Sequence, residues 1–122
     1  MTGDPAATAA PDILDVRTVA DGVELDLFLP ETLSCFQGHF PGYAVLPGVS
    51  QIDWAVRYAD RFLGTDIGGA RRFQVKFRSI VRPGGPLVLR LVRPAGGARL
   101  LFEFRRGGEI HSTGVIALEE GR

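Results

Sequence analysis

The stretch Leu46-Pro47-Gly48-Val49-Ser50-Gln51-Ile52-Asp53-Trp54-Ala55-Val56-Arg57-Tyr58-Ala59-Asp60-Arg61-Phe62-Leu63-Gly64 decides the fold. Ile52, Ala55, Val56, Ala59, Phe62 and Leu63 recur at helical spacing, which predicts an amphipathic helix from Gly48 to Leu63. Gly64 is its expected C-terminal cap. Asp53, Arg57, Asp60 and Arg61 fall on the other side, and the small Ala55 and Ala59 suit close packing on a sheet.

The flanks of this helix read as strands. From Ile13 to Leu29 the pattern is a hairpin: Val23, Leu25, Leu27 and Leu29 alternate with Glu24, Asp26 and Phe28, and Asp21-Gly22 supplies the turn. After the helix, Phe73, Val75 and Phe77 alternate with Arg72, Gln74, Lys76 and Arg78, which predicts one buried and one wet face over residues 71–81. Pro83-Gly84-Gly85, Pro94-Ala95-Gly96-Gly97 and Gly107-Gly108 are turn signals that separate strands near 86–93, 98–106 and 109–118. The fold class is therefore α+β: a hairpin, a long loop over Pro30–Pro47, one helix and a meander. One helix covers only part of one face of such a sheet, so a second copy of the chain is expected to cover the rest.

With 122 residues the chain is expected to form one domain over residues 12–122, behind a disordered Ala/Pro-rich tail over 1–11. Apolar residues at 45% and charged residues at 23% suit a globular protein. Fourteen basic residues balance fourteen acidic ones, so no net field draws the chain to nucleic acid or an anionic membrane. The two signs are segregated: seven acids and one base lie in residues 1–31, while Arg71, Arg72, Lys76, Arg78, Arg82, Arg90, Arg93 and Arg99 fall in a span free of acids. Two readings stand, charge complementarity between strands and a basic docking face for an acidic partner. The single Cys35 rules out an internal disulfide; with no signal-peptide pattern and no apolar run of membrane-spanning length, the expected compartment is the cytoplasm.

Chemistry concentrates in the long loop and the start of the helix. His39, in Gly38-His39-Phe40-Pro41-Gly42, is the one histidine outside the C-terminal region. An imidazole titrates near pH 6.5, and apolar neighbours such as Phe36 and Phe40 favour its neutral, basic form. A loop histidine can equally be structural. Asp53 has three readings: a capping box over Ser50-Gln51-Ile52-Asp53, an ion pair with Arg57 one turn on, or the acid of an acid–base pair with His39. Gly48 is either a turn glycine or a site where a bare helix N–H meets a ligand carbonyl. Cys35 beside His39 invites a thiol nucleophile, against which stands a small buried residue. His111 reads as a surface or packing residue. Metal-ligand spacing, a phosphate loop and a dinucleotide fingerprint are absent, so no metal or cofactor is expected.

Gly38-His39-Phe40-Pro41-Gly42, Pro47-Gly48-Val49 with Asp53, and Val75-Lys76-Phe77-Arg78 with Val81-Arg82-Pro83-Gly84 resemble the 3-hydroxyacyl-[acyl-carrier-protein] dehydratases. The run Leu46-Pro47-Gly48-Val49 with Gln51-Ile52-Asp53-Trp54 most resembles the dehydratases of aryl polyene pigment pathways. The resemblance implies a hotdog fold, an antiparallel sheet wrapped around one long central helix. It implies His39 and Asp53 as the catalytic pair, contributed to one site by different protomers, and Gly48 as the donor to a thioester carbonyl. On that reading Phe36, Phe40, Val49 and Trp54 line the acyl tunnel, and Arg71, Arg72, Lys76, Arg78 and Arg82 dock an acidic acyl carrier protein. The product is a trans-2-enoyl thioester, and the assembly a homodimer or a heterodimer.

Two departures matter. Arg57 stands where the fatty-acid enzymes usually carry glutamine, and a cation there favours the ionised form of a neighbouring acid. Tyr43-Ala44 replaces a polar residue and proline. Rival readings are a thioesterase on the same fold and a non-catalytic acyl-binding partner subunit.

Overall fold

The structure, a computed structural model, describes residues 10–36, 44–65 and 72–118. In chain order the elements are β1 (Asp12–Val19), β2 (Gly22–Leu29), a 3-10 turn (Ser34–Phe36), α1 (Gly48–Leu63), β3 (Phe73–Phe77), β4 (Gly84–Val92), a second 3-10 turn (Pro94–Gly96), β5 (Arg99–Arg106) and β6 (Glu109–Ala117). The strands form one antiparallel sheet in the order β1-β2-β4-β5-β6-β3, and α1 packs across it. This is the antiparallel sheet and single long helix of a hotdog fold.

The hairpin forms as its alternation predicts. Val23, Leu25, Leu27 and Leu29 are buried, and Asp21 turns the chain at φ +61°. Leu87, Leu89 and Leu91 of β4 and Leu100, Phe102 and Phe104 of β5 extend the same apolar layer towards α1. One row across the sheet positions the site. Leu25 is opposite Leu89, Leu89 opposite Phe104, Phe104 opposite Ser112, and Ser112 opposite Phe77. The row begins in pure hydrocarbon and ends in a hydroxyl and an aromatic ring beneath the first turn of α1.

The helix occupies the predicted residues, and Gly64 closes it in the left-handed conformation at φ +65°. Three expectations need correction. The capping box does not form: Pro47 is the N-cap, no side chain caps the helix, and Ser50 already lies inside it. The ring of Pro47 holds φ at −64°, so helical geometry starts directly behind it. Secondly, the buried face is Gln51, Trp54, Ala55, Tyr58 and Ala59, while Ile52, Val56, Phe62 and Leu63 are half-buried at its flank. The face is turned by roughly 75° from the predicted stripe, at about 100° per residue. Trp54 and Tyr58 bury more area than the aliphatic residues they displace from the centre.

Thirdly, β3 does not divide into a buried and a wet face. Phe73 and Phe77 are 48% and 51% exposed, and only Val75 is half-buried. The reason is topological: β3 is the edge strand beside β6, and α1 lies against the other side of the sheet's span, over β2 and β4. Phe77 and Ile80, the latter 47% exposed, line one cleft beside this edge, so the edge carries uncovered apolar side chains.

The segregated charges meet on the outer face. Glu24 on β2 is 2.8 Å from Arg90 on β4 and 3.3 Å from Arg17 on β1, while Arg17 also binds Asp26 at 2.7 Å. For these residues the complementarity reading holds. Among the described residues no helix is long and apolar enough to cross a membrane.

Candidate active site

The expected site residues divide into those within and those outside the described chain. His39, Phe40 and Arg71 lie outside it. Gly48, Val49, Asp53 and Trp54 are all on α1 and are set apart by its pitch. Five residues at about 100° each turn Asp53 about 140° away from Gly48.

Gly48 opens the helix, so its N–H has no intrahelical acceptor, and the positive end of the helix dipole lies there. It lines a cleft of about 420 Å³ with Leu46, Pro47, Gln51, Phe77 and Ser79. A Cβ on Gly48 would sit 2.6 Å from Cζ of Phe77, so a side chain there must displace the half-exposed ring. Both readings of this glycine therefore have support: it permits the close approach of Phe77, and it leaves a bare N–H at a cleft.

Asp53 lines a different cleft, of about 370 Å³, with Trp54, Arg57, Tyr58, Arg61 and the buried Pro11. Arg57 Nε donates to Asp53 Oδ2 at 2.9 Å, between side chains 74% and 51% exposed. The first-turn cap that would have competed for this carboxylate is absent. Within one chain, then, the bare N–H and the carboxylate face separate clefts.

Phe36 and Trp54 are core residues at 6% and 5% exposure, Trp54 with one edge on the Asp53 cleft, whereas Val49 is outside the core. Arg72, Lys76, Arg78 and Arg82 are exposed on β3 and the segments that flank it. Cys35 is half-buried, and burial pushes its thiol up despite hydrogen bonding to the backbone and Ser50, which opposes a thiolate nucleophile. Among the described residues no three His, Cys, Asp or Glu side chains are grouped to hold a metal.

One buried polar group next to the Gly48 cleft was not anticipated, and a second, His111, takes the packing half of its two readings. Gln51, 3% exposed, accepts a hydrogen bond from Ser112 Oγ at 2.7 Å and donates to the Leu46 carbonyl at 3.4 Å. A signal existed for it: Gln51 lies three and four residues before Trp54 and Ala55, on the face they bury. His111 is buried at 5% exposure, with Nδ1 2.9 Å from Ser79 Oγ, and so is a packing residue. It occupies the break in register between β5 and β6, where its carbonyl accepts from the N–H groups of Arg78 and Ser79.

Comparison with known proteins agrees with this fold. The ApeI-like family, described as ApeI dehydratase, matches residues 15–115. A chain of the dehydratase heterocomplex ApeI:P from Xenorhabdus doucetiae is 31% identical and superposes with a TM-score of 0.81, covering 91% of this chain and 99% of that one. An uncharacterized protein from Erwinia carotovora subsp. atroseptica is 33% identical with a TM-score of 0.72, over 90% and 96% of the two chains. The 3-hydroxyacyl-[acyl-carrier-protein] dehydratase FabZ of Oenococcus oeni is 44% identical over 63 residues, 44% of each chain. That of Thermotoga neapolitana is 39% identical over 57 residues, 43% of this chain and 42% of its own. The chain matches less than half the length of these curated relatives. The match to the family runs from β1 into β6 and takes in the whole of α1, and on that ground the chain belongs to the ApeI-like dehydratase family.

Proposed function

We propose that this chain removes water from a 3-hydroxyacyl thioester carried on acyl carrier protein, giving the trans-2-enoyl thioester. The observation that carries this reading is the bare N–H of Gly48 at the helix start, opening on a cleft. Such an N–H stabilises the oxygen of a thioester as it becomes enolate-like. His39 takes the proton from C2; the electron pair forms the C2–C3 double bond, and the C3–O bond breaks. Asp53, directly or through a water, supplies the proton with which the hydroxyl departs as water.

The active unit in this proposal is a dimer. Gly48 and Asp53 face separate clefts of one chain, and β3 exposes apolar residues along an open edge. A second protomer on that edge covers Phe73 and Phe77 and brings a complementary set of groups to each site. The partner is an identical chain or a related one. Phe36, Phe40, Val49 and Trp54 are the proposed walls of the acyl site, and Arg71, Arg72, Lys76, Arg78 and Arg82 the face for an acidic carrier protein.

The ion pair between Arg57 and Asp53 favours one second reading, an acyl-binding subunit that acts without turnover. Incubation with a 3-hydroxyacyl carrier protein separates the two: loss of one water from the acyl group supports the dehydratase, and tight binding with no mass change supports the binding subunit.

A further inference from the structure

A buried amide stands beside the proposed thioester-binding N–H. An apolar residue meets burial at this position without having to satisfy two polar ends, so what Gln51 adds is its hydrogen bonds. Oε1 accepts from Ser112 at 2.7 Å, which ties the first turn of α1 to β6. Nε2 donates to the carbonyl of Leu46 at 3.4 Å, one residue before the N-cap and outside the helix's own ladder.

The N–H of Leu46 is held too, donating to the Val81 carbonyl at 2.8 Å. Leu46 is thus pinned from both sides, by Gln51 and by the segment leading into β4. The next residue, Pro47, has its φ fixed by its ring. Its carbonyl accepts from the N–H groups of Ser50 and Gln51 at 3.1 and 3.2 Å. That carbonyl shares one planar peptide unit with the N–H of Gly48. Each torsion that could swing this N–H is restrained, and the Gln51 side chain closes the arrangement onto the sheet.

We infer that Gln51 is a positioning residue, which acts through Ser112 and Leu46 to fix the direction of the Gly48 N–H in the cleft. The inference rests on the proposed role of Gly48 and deepens it. Register makes the device possible: Ser112 is opposite Phe77, so one cross-strand pair supplies both the tether for Gln51 and the ring over Gly48.

The test compares wild type, Gln51→Leu and Ser112→Ala with a 3-hydroxyacyl-pantetheine thioester labelled with ¹³C at its carbonyl. Steady-state rates and the infrared stretch of the bound carbonyl are both read. A misaimed donor loses transition-state stabilisation, so kcat should fall at least about tenfold with KM changed less than about threefold. The carbonyl band should move to higher frequency in both variants. Ser112→Ala removes one hydroxyl and leaves Gln51 in place, so it decides the matter if Gln51→Leu does not fold. Wild-type kcat and an unshifted band in a folded variant would overturn the positioning role. A wild type that binds the thioester without dehydrating it would instead overturn the dehydratase reading, and the band, which needs binding alone, would still report on Gln51.

Discussion

Arg57 donates from Nε to Asp53 Oδ2 at 2.9 Å, one turn along the exposed side of α1. Pairs at this spacing between exposed side chains are worth about 0.3–0.5 kcal/mol. The pair is too weak to hold the carboxylate away from a substrate that binds there. Arg57→Gln should therefore change the dehydration rate by less than about threefold. Asp53→Asn should lower it by about 10²-fold or more, because the proposed proton donor is gone. If Arg57→Gln creates activity in a protein otherwise inactive, the guanidinium is the reason the wild type only binds.

The open edge of β3 carries a second expectation. Wild type should sediment as a dimer, and Phe73→Asp should shift it towards monomer by placing a charge on the exposed apolar strand that also carries Phe77. Activity should then fall with dilution faster for the variant than for wild type. A monomeric wild type with full activity would contradict the two-protomer site.

Acid stability should depend on Glu24. Burial alone would raise its carboxyl, yet hydrogen bonds from Arg90 and Arg17 and the charge of Arg105 outweigh that and hold it below its ordinary value of 4.5. The hydrogen bond from Arg17 likewise holds Asp26 below 3.8. Both folded-state values are depressed, so the unfolded chain binds more protons through this range. The stabilisation is complete above the ordinary carboxylate values and is lost as pH falls through them to the lower folded ones. Thermal unfolding from pH 7 to pH 3 should show a steeper acid loss for wild type than for Glu24→Gln. At pH 7 the substitution should cost about 1–3 kcal/mol, since charged hydrogen bonds to Arg90 and Arg17 are removed.

The parts of this molecule legible in its sequence are those governed by local rules. The β1–β2 hairpin follows from strict alternation around Asp21-Gly22, and both ends of α1 follow from Pro47-Gly48 and Gly64. What local rules miss is set by partners distant in the chain. Gln51 is buried because Ser112, 61 residues later, offers it a hydroxyl. The face of α1 turns because Trp54 and Tyr58 find room in the core. The apolar residues of β3 stay exposed because that strand pairs only with β6 among the described strands.

The candidate site was legible to a different degree. Gly48 and Asp53 could be singled out as a helix-start glycine and an acid on the polar side of the helix. That they face different clefts follows from the helix pitch, although neither residue alone signals it. His39 rests on its motif, because it falls outside the described residues.

The most direct measurement is mass spectrometry of a 3-hydroxyacyl carrier protein incubated with wild type and with His39→Ala. The account predicts loss of one water from the acyl group with wild type, and a rate lower by about 10²–10⁴-fold with His39→Ala. An equal rate of water loss with both proteins would contradict it, because the proton at C2 would then be leaving without the base proposed for it.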